Sequence, residues 1–232
     1  MKFSKTLVSS AAIALAALTS SSAMAVQQGD WLVRTRIINI DPNVSSGEIT
    51  DMAGTPLAPP SGIDVDSAVT LDIDITYMFT NNIGVELLLD LSSKHDITAT
   101  GNIGAAIPGK IAEVTTLPPA LIAQYHFMPQ NNIRPYAGAG INYTFFLSES
   151  TTNELTNGLG ATSTGLKVDD SFGFVLQAGV DFDINQNWYW NLDAKYLFLN
   201  TTATISADGA DAAKVEFDLD PLVLGIGIGT RF

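Results

Sequence analysis

Two histidines and no cysteine bound the chemistry open to this 232-residue chain. His95 is followed by Asp96, and a histidine turned by a carboxylate toward a hydroxyl or a water is the working unit of many hydrolases. Here the two neighbours stand in a strand-like run, so they point to opposite faces and Asp96 does not readily orient His95. A partner from another strand stays open. His126 sits beside Phe127 near a turn, where interfacial anchoring accounts for it. Catalysis is not expected, and neither thiol nor disulfide chemistry is available. Asp41, Glu48, Asp51, Asp64, Asp66 and the pair Asp169-Asp170 offer the oxygen ligands that calcium prefers, but without the spacing of a calcium loop. They read as solvated loop charges, and no metal is expected. Gly138-x-Gly140 and Gly225-x-Gly227-x-Gly229 fall in strand-like runs, where glycine relieves crowding and cradles no phosphate. No cofactor is expected.

The other charges are more telling because they are spaced by two. Arg34 and Arg36, Asp72 and Asp74, and Asp193 and Lys195 each flank one residue, while Glu86 and Asp90 are four apart. In Val69-Thr70-Leu71-Asp72-Ile73-Asp74-Ile75-Thr76-Tyr77-Met78-Phe79 apolar and polar residues strictly alternate. A strand sends successive side chains to opposite faces, so such a run has one greasy face and one wet face. The pattern recurs in eight segments, near 30–40, 67–80, 83–97, 110–127, 134–147, 169–184, 188–204 and 214–232. Connections at Asn81-Asn82, at 128–133 and at Asn185-Gln186-Asn187 are short and rich in turn formers. Those at 41–66, 98–109, 148–168 and 205–213 are longer and rich in Gly, Ser, Thr, Asp and Pro. Long and short connections alternate throughout.

Residues 1–25 read as a cleaved export signal: Lys2 and Lys5, an apolar stretch from Leu7 to Leu18, then Ala23-Met24-Ala25. The stretch is shorter than the roughly 20 residues a membrane helix needs, and no later segment supplies 18 uninterrupted apolar residues. The mature chain, 26–232, would be a single domain. Without the two signal lysines, 9 basic residues face 24 acidic ones, a balance that repels nucleic acid. Export, alternation and the rhythm of connections together predict an all-β fold. It is an eight-stranded antiparallel transmembrane β-barrel in a bacterial outer membrane, with short periplasmic turns, long external loops and both termini in the periplasm. Aromatic residues collect at both ends of the strands, as girdles at two lipid interfaces would. Trp31, Tyr77, Phe79, Tyr125, Phe127, Tyr136, Phe182, Trp188, Trp190 and Phe232 mark one end; Phe145, Phe172, Phe174 and Phe198 mark the other. The last strand alternates to a terminal Phe232, which resembles the assembly signal of outer-membrane barrels.

Thr76-Tyr77-Met78, Asn82-Ile83-Gly84-Val85-Glu86-Leu87-Leu88, Leu117-Pro118-Pro119 and Arg134-Pro135-Tyr136-Ala137-Gly138-Ala139-Gly140-Ile141-Asn142-Tyr143 resemble the OmpW family of small outer-membrane proteins, which includes AlkL-type alkane-uptake members. The closing Arg231-Phe232 does so too. The resemblance covers most of 67–147 and 169–232, is weak over the first strand and is absent from the long loops. It implies a narrow, largely apolar passage that lets small hydrophobic compounds cross the lipopolysaccharide layer.

Eight strands leave a bore that side chains fill or one small ligand occupies. Its predicted inward face carries Arg34, Arg36, Asp72, Asp74, Glu86, Asp90, Asp193 and Lys195 in the middle and lower regions, read as a plug of ion pairs because buried charges need partners, with an ion-selective filter as the alternative that the narrow bore disfavours. Toward the external end Ile38, Phe146, Leu197, Phe217 and Leu219 would form an apolar pocket; packing of the rim beneath the loops is the alternative. Leu117, Pro118 and Pro119 interrupt the fourth strand, and proline donates no ladder bond. The expectation is a lateral gate into lipid, as the resemblance also implies, with a strand-bending bulge as the alternative. The expected function is passage of small hydrophobic molecules, with apolar capture outside and release through the wall. A non-transporting barrel, structural or with loops that bind an external partner, is the second reading. The partners expected are outer-membrane lipid and lipopolysaccharide, small hydrophobic solutes, and the assembly machinery through the C-terminal strand.

Overall fold

The alternating segments are strands whose two faces meet different surroundings. In the computed structural model, which describes residues 25–232, the chain begins with β1 (Trp31–Asp41), β2 (Ser45–Ser46), β3 (Ser61–Val65), β4 (Ala68–Met78), β5 (Ile83–Asp90) and β6 (Ser93–Thr100). A short helix α1 (Gly101–Ala106) leads to β7 (Lys110–Leu117), β8 (Ala120–His126) and β9 (Ile133–Thr151). A second short helix α2 (Asn153–Gly158) precedes β10 (Thr164–Val168), β11 (Ser171–Asp183) and β12 (Trp188–Phe198). Last come β13 (Asn200–Ala207), β14 (Ala210–Asp218) and β15 (Leu222–Arg231). Of the predicted signal, all but Ala25 lies outside the described residues.

Eight strands close a cylinder in the order β1-β4-β5-β8-β9-β11-β12-β15, and β15 pairs back onto β1, every pair antiparallel. Closure leaves no free edge. The faces sort as the sequence pattern requires: Arg34, Arg36, Asp72 and Asp74 are buried inside, while Ile37 and Phe174 stand 58% and 63% exposed on the outer wall. Trp31 and Phe232 exchange backbone hydrogen bonds of 3.1 and 3.0 Å, so both ends of the chain meet at one rim. The short turns lie at that rim. Val26, Leu32 and Met78 form a small buried apolar cluster beneath it.

The other end differs from the loops expected there, because much of the connectors is folded. β9 extends past the cylinder, and β7, β6 and β3 add to it in order. A separate sheet, β10-β13-β14-β2, forms the opposite wall. The expected 205–213 loop is a hairpin: Asp208 and Gly209 adopt φ of +51° and +84°, the left-handed pair that a tight two-residue turn demands. Asp-Gly between alternating runs is the sequence signal of such a turn. This upper storey continues the barrel interior as one apolar cluster, from Ile38 and Leu197 up to Ile205 and Leu155.

Four of the eight predicted strands are broken where cylinder and storey join. The β12–β13 and β14–β15 breaks face each other and are bonded across: Leu197 N–H to Pro221 O at 3.1 Å, Leu219 N–H to Leu199 O at 2.8 Å and Leu199 N–H to the Asp220 carboxylate at 2.9 Å. The β5–β6 and β7–β8 breaks also face each other, and there the ladder stops. It ends at Leu88 opposite Ala120 and resumes at Ser93 opposite Thr116.

Two exchanges inside the cylinder are tight enough to test. A Cβ on Gly179 would lie 2.3 Å from the Tyr136 phenol, and one on Gly229 would lie 2.3 Å from the Tyr189 ring. Gly179→Ala is expected to push Tyr136 from its place and to cost about 1–3 kcal/mol, the usual penalty of overpacking; equilibrium urea unfolding in lipid vesicles measures it. On the storey surface, Glu113 accepts hydrogen bonds from Lys110 at 2.7 Å and Lys94 at 3.0 Å. Those bonds, Lys110 first, hold its carboxyl down at about 2. Its stabilising share is therefore present above the ordinary range near 4.5 and lost as the pH falls through about 2. A carbon-detected NMR titration should find that low midpoint, and Lys110→Gln should raise it.

Candidate functional site

The inward charges form one connected network. Arg34 and Arg36 on β1 lie directly opposite Asp74 and Asp72 on β4. Arg34 bridges Asp74 at 3.1 Å, Asp181 at 3.1 Å and Glu86 at 3.5 Å. Arg36 bridges Asp72 at 2.8 Å and Asp193 at 3.4 Å and also contacts Asp74. Lys195 pairs with Asp193 and reaches Asp72 at 3.8 Å. All these groups are essentially without solvent contact, so the pairs are supported by neutral hydrogen bonds as well. Gln124 and Gln177 bond both oxygens of Glu86, at 2.6 and 2.9 Å. Tyr136 donates to Asp193 at 2.7 Å, and Asn191 donates to Asp181 at 2.8 Å. The Arg34 guanidinium also lies over the Tyr136 ring, 4.9 Å from its centre.

Seven of the eight predicted plug residues belong to this network. Asp90 does not: among the described residues no salt bridge reaches it, because Arg36 and Lys195 are held by Asp72, Asp74 and Asp193. It lines the cavity above instead. Several members escape the sequence pattern. Gln124, Gln177, Asp181 and Asn191 share the inward phase but do not stand out as charge pairs. Arg134 and Asp183 form a further buried pair below. Two expectations are corrected. Tyr136, assigned to the outer girdle, is 2% exposed and turned inward, where its hydroxyl finds a carboxylate. His126, read as an interfacial anchor, is fully buried, stacked on Tyr136 with ring centres 5.3 Å apart and bonded to Gln124.

Above the network is a partly enclosed cavity whose lining is mostly apolar. Of the predicted pocket, Phe146, Leu197, Phe217 and Leu219 line it. Ile38 is buried in the same apolar cluster without lining the space, and Ile40, two residues on, lines it. Asp72, Asp90 and Lys195 make the floor, so the top of the plug is the bottom of the cavity. Pro118 lines the wall at the lapsed ladder. Pro119 turns its carbonyl to β9, accepting from Tyr143 N–H at 3.1 Å, and Leu117 pairs with Phe145. Opposite, Leu91 N–H bonds back to Leu71 O at 2.9 Å. Among the described residues no backbone hydrogen bond joins 89–92 to 117–119.

A closed eight-stranded wall, greasy outside and charged within, is the frame of a small membrane barrel, and the model of the OmpW family matches residues 27–232. The chain belongs to the OmpW family. Outer membrane protein W of Vibrio cholerae is 39% identical over 94% of this chain and 95% of its own. The crystal structure of outer membrane protein OprG from Pseudomonas aeruginosa superposes with a TM-score of 0.82 at 32% identity, over 91% of this chain and 99% of that one. Outer membrane protein AlkL of Ectopseudomonas oleovorans is a more distant relative, 24% identical over 88% of this chain and 83% of its own. This OmpW-family chain is thus an outer-membrane β-barrel, and its exposed apolar belt faces lipid. The two aromatic girdles lie on that belt, in ring pairs such as Trp31–Tyr77 at 4.9 Å near one rim and Tyr196–Phe198 at 5.0 Å near the other.

Breaking the network on one side should be costly. Arg34→Met leaves Asp74, Glu86 and Asp181 buried without their cation and is expected to cost about 3–5 kcal/mol. Adding Asp181→Leu should recover some of that loss, and urea unfolding of both variants in lipid vesicles reads the difference.

Proposed function

We propose that this barrel passes small hydrophobic molecules inward across the outer membrane, capturing them in the cavity above the plug and releasing them sideways into lipid. The observation that carries the reading is the junction of three features at one level. An apolar cavity stands on a sealed, charged floor, and its wall includes the seam where the ladder lapses. The floor opposes a straight path, since an apolar solute gains nothing among desolvated ion pairs and would have to separate them. The wall offers the alternative, because Pro118 brings no N–H to that seam and itself lines the cavity. Burial of apolar surface at ~25 cal/mol per Å² gives a small hydrocarbon modest affinity, suited to transit.

Orientation follows from the same plan. The rim with both chain ends and the short turns is assigned to the periplasm, and the folded storey to the outside among lipopolysaccharide. Phe232, exposed on the outer wall at the end of β15, is assigned the role of assembly signal.

Whole cells lacking their own copy test this, because their lipopolysaccharide is the barrier at issue. Cells carrying the protein should take up labelled octane several-fold faster than cells without it. Pro118→Ala/Pro119→Ala, which returns an N–H donor to the seam at position 118, should remove most of that gain while the protein still folds by heat-shifted gel mobility. Unchanged uptake in the double variant rules out the sideways exit. Absence of any gain with the unaltered protein favours a structural or partner-binding barrel.

A further inference from the structure

The cavity is not uniformly apolar. His95 and Thr116 line its wall with Pro118, and Asp90 lies at its floor. His95 Nδ1 lies 2.8 Å from the backbone oxygen of Asp66, and its Nε2 lies 3.0 Å from Ser93 Oγ. Ser93 Oγ in turn lies 2.9 Å from Thr116 Oγ1. A carbonyl oxygen only accepts, so Nδ1 must carry the proton that bonds it. Burial favours the neutral imidazole, lowering its pKa from the ordinary value. Nε2 is then an acceptor, Ser93 must donate to it, and Thr116 must donate to Ser93. Every proton in this chain is used internally. What Thr116 has left for the cavity is lone pairs.

Asp90 adds a second acceptor of the same kind. It is 7% exposed, and its Oδ1 has no hydrogen-bond partner. A buried carboxylate oxygen with nothing to accept from is a costly arrangement that a donor would relieve.

We propose that these acceptors select the cargo: the cavity binds small amphiphiles whose apolar tail carries one hydrogen-bond-donating head, an alcohol or a primary amine, received by Thr116 and Asp90. The inference deepens the capture role proposed above and rests on it. Phe146 and Leu197 hold the tail, and the head settles beside the seam. A ketone or ether of equal size brings no proton to Thr116 or Asp90, so it leaves the Asp90 oxygen unrelieved.

Titration of the full barrel in lipid nanodiscs, followed by the methyl resonances of Leu197 and Val114, tests this with 1-octanol, 1-octylamine and 2-octanone as probes. At least one of the two donors should bind about tenfold or more tighter than the ketone. Thr116→Val and Asp90→Asn report which group receives the head: loss of octanol preference in the first assigns the alcohol to Thr116, and loss of octylamine preference in the second assigns the amine to Asp90. Equal affinity of all three probes overturns the donor rule while leaving hydrophobic capture standing. Failure of all three to perturb the cavity methyls overturns both.

Discussion

Arg34 and Arg36 face Asp74 and Asp72 across the β1–β4 ladder, and the rest of the structure is arranged around holding those four charges inside. A strand alternates with a period of two, so a slip of β1 by one residue would put both guanidinium groups in lipid and leave both carboxylates inside without them. Charges on the lipid face near the midplane cost several kcal/mol each. The pairs therefore fix the register of the first hairpin, and the hairpin fixes what can lie beside it. Tyr136 and Gln177 must supply the bonds that Asp193 and Glu86 lack, and Gly179 must lack a side chain for Tyr136 to fit.

The same constraint divides the interior into two chemistries. A charged layer is tolerable only where its oxygens can meet donors, which the narrow cylinder allows because opposite walls are within side-chain reach. At Lys195 the network reaches its last cation, and above it the inward positions turn to Leu197, Phe217 and Leu219. The apolar cluster that begins there continues through both sheets of the storey. Cavity and storey are thus one apolar core standing on an ionic floor. The polar groups that interrupt that core are the His95–Ser93–Thr116 chain on its wall and Asp90, which shares the floor without joining the ion pairs.

Much of this is legible in residue types alone. Strand number, closure, the outward belt and seven of the eight plug residues follow from a period of two, because the pattern is set by which face is wet. Tyr136 and His126 keep the inward phase of Arg134 and Gln124, two residues before them; an aromatic ring near a strand end also suits an interface, and that residue type points the other way. The storey reads as loop in the sequence because Gly, Ser, Thr and Pro dominate its segments. Its strands are short, and their pairing partners lie far apart along the chain, as β3 with β6 and β2 with β14. Asp90 belongs to the plug by charge alone, whereas only three-dimensional reach decides which carboxylates Arg34, Arg36 and Lys195 can serve.

The lapsed seam raises the question of how a membrane barrel tolerates it, since bare backbone groups in hydrocarbon cost several kcal/mol each. The answer lies in which groups were removed. Pro118 and Pro119 have no N–H to leave unpaired, the Pro119 carbonyl is taken by Tyr143 and the Leu91 N–H by Leu71. Each side of the seam bonds to its far neighbour instead of across the gap. Pro221, at the opposite break, shows that a single proline does not separate neighbouring strands: there Leu197 donates to its carbonyl and Asp220 caps Leu199, so the ladder is bridged. At the lapsed seam Pro118 removes the donor on that side, and the β5–β6 connection turns its own donor away. The lapse in the ladder is thus built from absent donors, which interrupts a barrel wall at less cost than leaving donors exposed, and Pro118 within it lines the cavity.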